Sequence, residues 1–153
     1  MFWTNSGCND GNLQSVSGIE TGKIKKIEKD AKVYTVAKDK IIKFPKTLKI
    51  RDAFFIQLPH KSIAKGSVIT ITTSGTTNVS VGFEYPGDRS GGFQKSLPNS
   101  GWTLVKKWKI EMTEKTLNKI YRMRVNGSTS ISLPKTKTEK TAMIILAECA
   151  SEG

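Results

Sequence analysis

The sequence predicts an all-β domain, an antiparallel β-sandwich of the jelly-roll kind with little or no helix. Short segments such as residues 78–85 alternate between apolar and polar side chains, which is the period of a half-buried strand. Roughly seven to ten such segments follow one another about every ten residues, as in sandwiches and barrels. No segment of about 12 residues has the periodicity of an amphipathic helix.

The predicted strands begin and end at recognisable turn residues. Pro45, Pro59 and Pro86 each follow an alternating segment, and proline ends a strand because it has no N–H for the ladder. Segment 67–73 is dense in β-branched residues, which suit a pleated surface. Segment 141–148 is almost continuously apolar, which favours a central strand. The predicted strands are 32–36, 40–44, 53–58, 67–73, 78–85, a strand region over 102–112, 121–125, 128–133 and 141–148.

Asn126 and Gly127 separate two of these segments. An Asn-Gly pair in this position predicts a type I′ hairpin, because both central residues must accept positive φ. Alternation through the first arm places Tyr121, Met123 and Val125 on the core side. Arg122 and Arg124 are then expected to face outward.

The 153 residues, of which 37% are hydrophobic and 25% charged, fit one globular domain. Residues 1–22 are rich in glycine, serine and asparagine, and we interpret them as an N-terminal arm. Residues 23–153 are predicted to form a single β-sandwich domain.

The net charge of +12 is concentrated in one part of the chain. Residues 23–51 contain eleven basic and three acidic residues, which gives this segment a net charge of +8. Such a field attracts nucleic acid, sulfated glycans or acidic membranes, although a lysine-rich face can also serve only solubility. The candidate polyanion-binding residues are Lys23, Lys25, Lys26, Lys29, Lys40, Lys43, Lys46 and Lys49.

Cys8 and Cys149 lie near opposite ends of the chain. A disulfide between them would close a very long loop and contribute roughly 5 kcal/mol in the chain-entropy model; two buried thiols are the alternative. Residues 1–5 lack the basic and apolar regions of a signal peptide. The compartment is therefore not determined, and an extracellular location is favoured only if the disulfide forms.

Residues for catalysis are sparse. His60 is the one histidine, no serine has an elbow-like motif around it, and the two cysteines lack metal-ligand spacing. We therefore expect a protein that is not an enzyme, with no cofactor and no metal.

Aromatic residues next to glycine-rich loops suggest a binding surface. Aromatic faces stack on the C–H surface of sugars and on nucleobases, and the planar guanidinium of arginine suits hydroxyls, carboxylates and sulfates. The candidate ligand-binding residues are Tyr85, Arg89, Asn99, Trp102, Arg122 and Arg124.

About 90 residues of the chain resemble galectin domains. Leu58-Pro59 followed by Gly66 and an alternating strand is similar to the opening of those domains, and Asn99-Ser100-Gly101-Trp102 resembles their sugar-site loop. The resemblance implies a galectin-like sandwich that binds a glycan. The His-x-Asn-x-Arg galactoside motif is absent, and Gly82-Phe83-Glu84-Tyr85 stands near its place.

Three functions follow from these features. The leading hypothesis is carbohydrate recognition by a lectin-like domain. The alternative is binding of a polyanion, such as a heparin-like glycan, nucleic acid or an acidic membrane, through the lysine-rich face. The third is a capsid-like or matrix-like assembly protein that forms homo-oligomers. No apolar run approaches the roughly 18 residues of a transmembrane helix.

Overall fold

The described part of the chain is built of β-strands. The computed structural model describes residues 12–35, 38–45, 53–58, 68–84, 101–113, 116–132 and 143–149. Within them, eleven strands follow in order: β1 (Leu13–Ser17), β2 (Ile24–Lys26), β3 (Ile41–Lys43), β4 (Ala53–Ile56), β5 (Val68–Thr73), β6 (Thr77–Glu84), β7 (Thr103–Leu104), β8 (Ile110–Met112), β9 (Thr116–Val125), β10 (Ser128–Ser132) and β11 (Met143–Cys149).

The strands form two sheets. In the three-stranded sheet β5 lies between β1 and β10. The eight-stranded sheet runs from β2 through β4, β11, β6, β9 and β8 to β3, and β7 pairs with β9 beside β8. Every ladder between these strands is antiparallel. The predicted all-β, antiparallel sandwich class is confirmed.

Strand β11 lies at the centre of the large sheet, between β4 and β6. Its residues from Met143 to Glu148 are all buried, and alternate residues enter the two hydrophobic clusters on opposite faces of the sheet. Because both faces are covered, the strand carries an apolar run and not an alternating one. The central position predicted for this segment is confirmed.

The first cluster lies between the two sheets. Ile69 and Ile71 of β5 are fully buried against Val79 and Val81 of β6 and Ile145 of β11. On β9, Tyr121 and Val125 are buried in this cluster and Met123 packs against it, so the predicted core side of β9 is confirmed. Burial of each such aliphatic side chain contributes about 1.5–3 kcal/mol.

The second cluster covers the other face of the large sheet. Phe55, Ile110, Ile120 and Leu146 are almost fully buried there. Ile27, Ala31, Val33, Tyr34 and Ile41 pack on the same side.

Residues 27–35 bring covering side chains to this face. The Ile27 N–H donates to Ala53 O at 3.0 Å, and the Asp30 N–H donates to Ile41 O at 2.7 Å. The Thr35 N–H donates to Leu58 O at 3.2 Å. These hydrogen bonds connect the segment to β3 and to the β4 region.

Two local predictions are wrong within the described residues. Residues 13–17, which the sequence analysis placed in the N-terminal arm, belong to β1 and pair with β5 of the sandwich. Of the predicted strand over 32–36, the described residues 32–35 form isolated bridges and no longer ladder, Lys32 with Lys40 and Tyr34 with Leu58.

The predicted type I′ hairpin at Asn126-Gly127 is also wrong. Strand β9 belongs to the large sheet, whereas β10 pairs with β5 in the small one. Gly127 has a φ of 104°, but Asn126 is not among the residues at positive φ. The turn therefore carries the chain from one sheet to the other, and the Gly127 N–H donates to Thr73 Oγ1 at 3.1 Å.

Candidate functional site

An open cleft of about 210 Å³ lies beside the edge formed by β3 and β8. We call it the lysine cleft, because three of the six described residues that line it are lysines. Its lining is Lys43, Phe44, Pro45, Lys107, Lys109 and Glu111. The three lysines are exposed, and the other three residues are half-buried.

Strand pairing and a proline shape one side of the lysine cleft. Lys43 lies opposite Glu111 in the β3–β8 register, next to an irregularity in the ladder. Phe44 follows the strand and packs against the second cluster. Pro45 comes next, and since it has no N–H it cannot continue the ladder. Phe44 and Pro45 thus form an apolar surface beside the charged side chains of Lys43 and Glu111.

The turn before β8 shapes the other side. The Val105 N–H donates to Ile120 O at 2.8 Å, and the Trp108 N–H donates to Val105 O at 3.3 Å. Between these hydrogen bonds Lys107 has a φ of 74°, a left-handed conformation that is uncommon for a residue with a Cβ. The turn thus directs Lys107 and Lys109 to the cleft.

Trp108 connects this turn to a second group of residues, the Arg122 cluster (Trp108, Arg122, Glu148). The guanidinium carbon of Arg122 lies 5.1 Å from the Trp108 ring centroid, within the range of a cation–π contact. Arg122 Nη2 donates to Glu148 Oε1. Glu148 is only 4% exposed, so this charge pair compensates a carboxylate that is almost fully removed from water.

The predicted ligand-binding residues have different outcomes. Trp102 is 1% exposed and lies in the first cluster, so its ring does not offer a surface for a sugar, in disagreement with the predicted role. Arg122 is engaged with Glu148, and its side chain is 32% exposed. Arg124 is exposed, as expected. Tyr85, Arg89 and Asn99 lie outside the described residues.

The basic stretch does not form one strand or one edge. Lys25 and Lys26 lie on β2, at one end of the strand order of the large sheet, and Lys43 lies on β3 at the other. Of the predicted polyanion-binding residues that the structure describes, Lys43 lines the cleft and the others do not. Lys23, Lys29 and Lys40 are exposed in connecting segments, whereas Lys46 and Lys49 lie outside the described residues.

Other than Lys43, the residues of the lysine cleft are not predicted by the sequence analysis. Lys106-Lys107-Trp108-Lys109, a basic run around an aromatic residue, is the one local signal that could have indicated it. Glu111 and Lys43 meet only through strand pairing between distant segments.

The predicted disulfide is not tested. Cys149 ends β11 and is half-buried, whereas Cys8 lies outside the described residues. The pairing stays a prediction, which a thiol count under non-reducing conditions would check. Homo-oligomerisation also stays a prediction.

Comparison with known proteins identifies a similar fold. No protein-family model and no curated protein matches the sequence. The fold is similar to part of a β-glucuronidase from glycoside hydrolase family 2, with a TM-score of 0.70 and 8% identity over 92% of this chain. A GH138 enzyme targeting pectin rhamnogalacturonan II gives a TM-score of 0.49 and 15% identity over 92% of this chain.

This chain spans only 15% of the β-glucuronidase chain and 18% of the GH138 enzyme. At such low identity the similarity establishes the sandwich fold and nothing about activity. The β-glucuronidase is not a galectin, so the galectin resemblance is supported only as an all-β sandwich. Among the described residues, no helix is long and apolar enough to cross a membrane.

Proposed function

We propose that this protein is a non-enzymatic binding module that recognises a carbohydrate through the lysine cleft. The observation that carries the proposal is the composition of the cleft, where apolar Phe44 and Pro45 lie beside charged hydrogen-bonding side chains. Sugars present the same combination, with C–H surface on the ring faces and hydroxyls at the rim. A fold similar to part of a glycoside hydrolase also supports it.

Binding to a panel of neutral and acidic oligosaccharides tests this proposal. We expect at least one class to bind, and Phe44→Ala to weaken that binding because the apolar surface is lost. Ile42→Ala is the matched control, since Ile42 is an exposed apolar residue two positions away that does not line the cleft. No binding by any member of the panel would contradict the proposal. Release of new reducing ends in proportion to protein would contradict its non-enzymatic part.

A second candidate is polyanion binding by the lysine-rich segment, and one pair of residues favours it. Lys32 and Lys40 lie directly opposite each other in an antiparallel bridge, and both are exposed. Like charges in such a pair are destabilising, and a bound anion would relieve the repulsion. Retention on an immobilised polyanion that Lys32→Ala and Lys40→Ala leave unchanged would contradict this candidate.

A further inference from the structure

We propose that the lysine cleft recognises an acidic sugar, a ring that carries a carboxylate or a sulfate group. The inference rests on the proposed carbohydrate-binding function and names the class of glycan. It is carried by the charge of the cleft, by the conformation of Lys107 and by the size of the space.

The charge of the cleft favours an anion. Among the described residues that line the cleft, Lys43 from β3 and Lys107 and Lys109 from the turn before β8 are accompanied by one carboxylate, that of Glu111. Within the described residues, none of the three lysines makes an ion pair. Their ammonium groups are therefore available to a ligand, and hydrogen bonds between charged groups are about twice as strong as neutral ones.

The backbone at Lys107 gives independent support. Three non-glycine residues described have positive φ, namely Asn12, Asp30 and Lys107. Asparagine and aspartate tolerate this conformation, whereas for lysine it is unfavourable. Unfavourable backbone conformations concentrate at binding sites, where the surrounding structure maintains them. Here the conformation belongs to a residue whose side chain lines the cleft.

The size and mixed lining of the cleft favour a sugar over an extended polyelectrolyte. A volume of about 210 Å³ is below that of a pocket for a drug-sized ligand and suits a single ring. Glu111 can accept a hydrogen bond from a hydroxyl and would repel a second anionic group nearby. One negative group and several hydroxyls therefore satisfy this lining together.

A pair of ligands that differ only in charge tests the inference. The probes are a uronic-acid oligosaccharide and its fully methyl-esterified form, which keeps the rings and hydroxyls. Isothermal titration calorimetry should show the ester binding about tenfold more weakly, since hydrogen bonds to charged groups are lost. A sulfated oligosaccharide forms the second arm. Binding of either anionic probe in preference to its neutral form supports the inference and identifies the anion.

Matched variants locate the binding. Lys107→Ala and Lys109→Ala should each reduce affinity for the preferred anionic probe about five- to tenfold. Lys26→Ala removes the same charge from an exposed lysine on β2, at the other end of the strand order, and should change affinity less than twofold. Circular dichroism of each variant confirms that the fold is retained.

The outcomes separate the two proposals. Equal affinity of both anionic probes and their neutral forms would overturn the acidic-sugar inference and leave carbohydrate binding intact. No binding of any neutral or acidic oligosaccharide would overturn both. Equal losses for Lys26→Ala and Lys107→Ala, with single-stranded DNA bound as tightly as the glycan, would replace the cleft by a diffuse polyanion surface.

Discussion

At the scale of single residues, Arg122 has two contacts with different consequences. It compensates the buried carboxylate of Glu148 and lies against the ring of Trp108. Trp108 in turn belongs to the turn that carries Lys107 and Lys109. Arg122 therefore contacts both a buried residue of the large sheet, Glu148, and the turn that carries two lysines of the cleft.

Replacing Arg122 with methionine is expected to lower the free energy of unfolding by about 2–3 kcal/mol. The variant removes the Arg122 cation that pairs with the buried Glu148 carboxylate, which is costly. The one-third exposure of Arg122 keeps the loss below that of a fully buried pair. Urea denaturation measures the effect. Arg124→Met is the matched control, because Arg124 is exposed on the same strand, and it should change stability by less than about 0.5 kcal/mol.

The double variant Arg122→Met with Glu148→Leu separates pairing from simple loss of packing. With both charges removed, we expect much of the lost stability to return, since a buried ion pair is often replaceable by apolar residues. A double variant less stable than Arg122→Met alone would show that the charge pair is not the cause.

Lys107→Gly is expected to stabilise the protein while weakening ligand binding. Glycine accepts a φ of 74° without the steric cost of a Cβ, so we expect a gain of about 0.5 kcal/mol after the entropy of glycine in the unfolded chain is included. Thermal unfolding and glycan titration of the same sample measure the two effects. A destabilised variant would mean that the Lys107 side chain supports the fold and not only the cleft.

At the scale of elements, two glycines at positive φ differ in what surrounds them. A Cβ at Gly18, which follows β1, would lie 2.1 Å from the carbonyl oxygen of Val68. A Cβ at Gly127, between β9 and β10, would meet no atom within 4 Å. The chain needs glycine at both positions for its φ, but only at Gly18 for space.

Gly18→Ala should therefore be more destabilising than Gly127→Ala. We expect about 1 kcal/mol for Gly127→Ala, from the left-handed conformation alone. Gly18→Ala should cost about 3 kcal/mol, because backbone atoms of β5 must also move. Urea denaturation of the two variants gives the comparison, and equal losses would show that β1 does not pack as closely on β5 as the structure indicates.

Strands could be predicted from the sequence where the pattern of their own apolar and polar side chains matches the burial of their two faces. Segment 141–148 is apolar on both faces, and β11 is buried on both faces. Strand β1 was missed because Leu13 is its one buried residue and its other side chains are mostly serine and glutamine. Pairing with β5 stabilises it, and pairing with a distant segment leaves no local signal.

Asn126-Gly127 shows a related limit. An Asn-Gly pair allows a sharp reversal of the chain, but the partner of β10 is decided by packing across the sandwich. The lysine cleft has the same origin, because Lys43 and Lys107 are more than sixty positions apart. Trp102 was misplaced because an aromatic residue after a glycine can turn inward as readily as outward.

At the scale of the whole molecule, the large sheet is covered by apolar residues on both faces. Ile145 enters the cluster between the sheets and Ile144 the cluster on the opposite face. We expect Ile144→Ala and Ile145→Ala to lower the free energy of unfolding by similar amounts, about 2–5 kcal/mol each. Chemical denaturation checks this. A small loss for Ile144→Ala alone would show that the second face is weakly packed.

Because the protein has a net charge of +12, an anionic ligand could bind at the lysine cleft or along the lysine-rich segment. The salt dependence of the affinity distinguishes these two modes of binding. For a linear acidic glycan, the slope of log affinity against log salt approximates the number of ligand charges that the protein neutralises. Binding of a single acidic ring at the lysine cleft predicts a slope of about one, because Lys43, Lys107 and Lys109 together neutralise one anionic group. Binding along the whole lysine-rich segment predicts a slope of about eight. Titrations between about 50 and 200 mM salt resolve this difference, and a slope near eight would place the bound charges along the lysine-rich segment and not at the cleft.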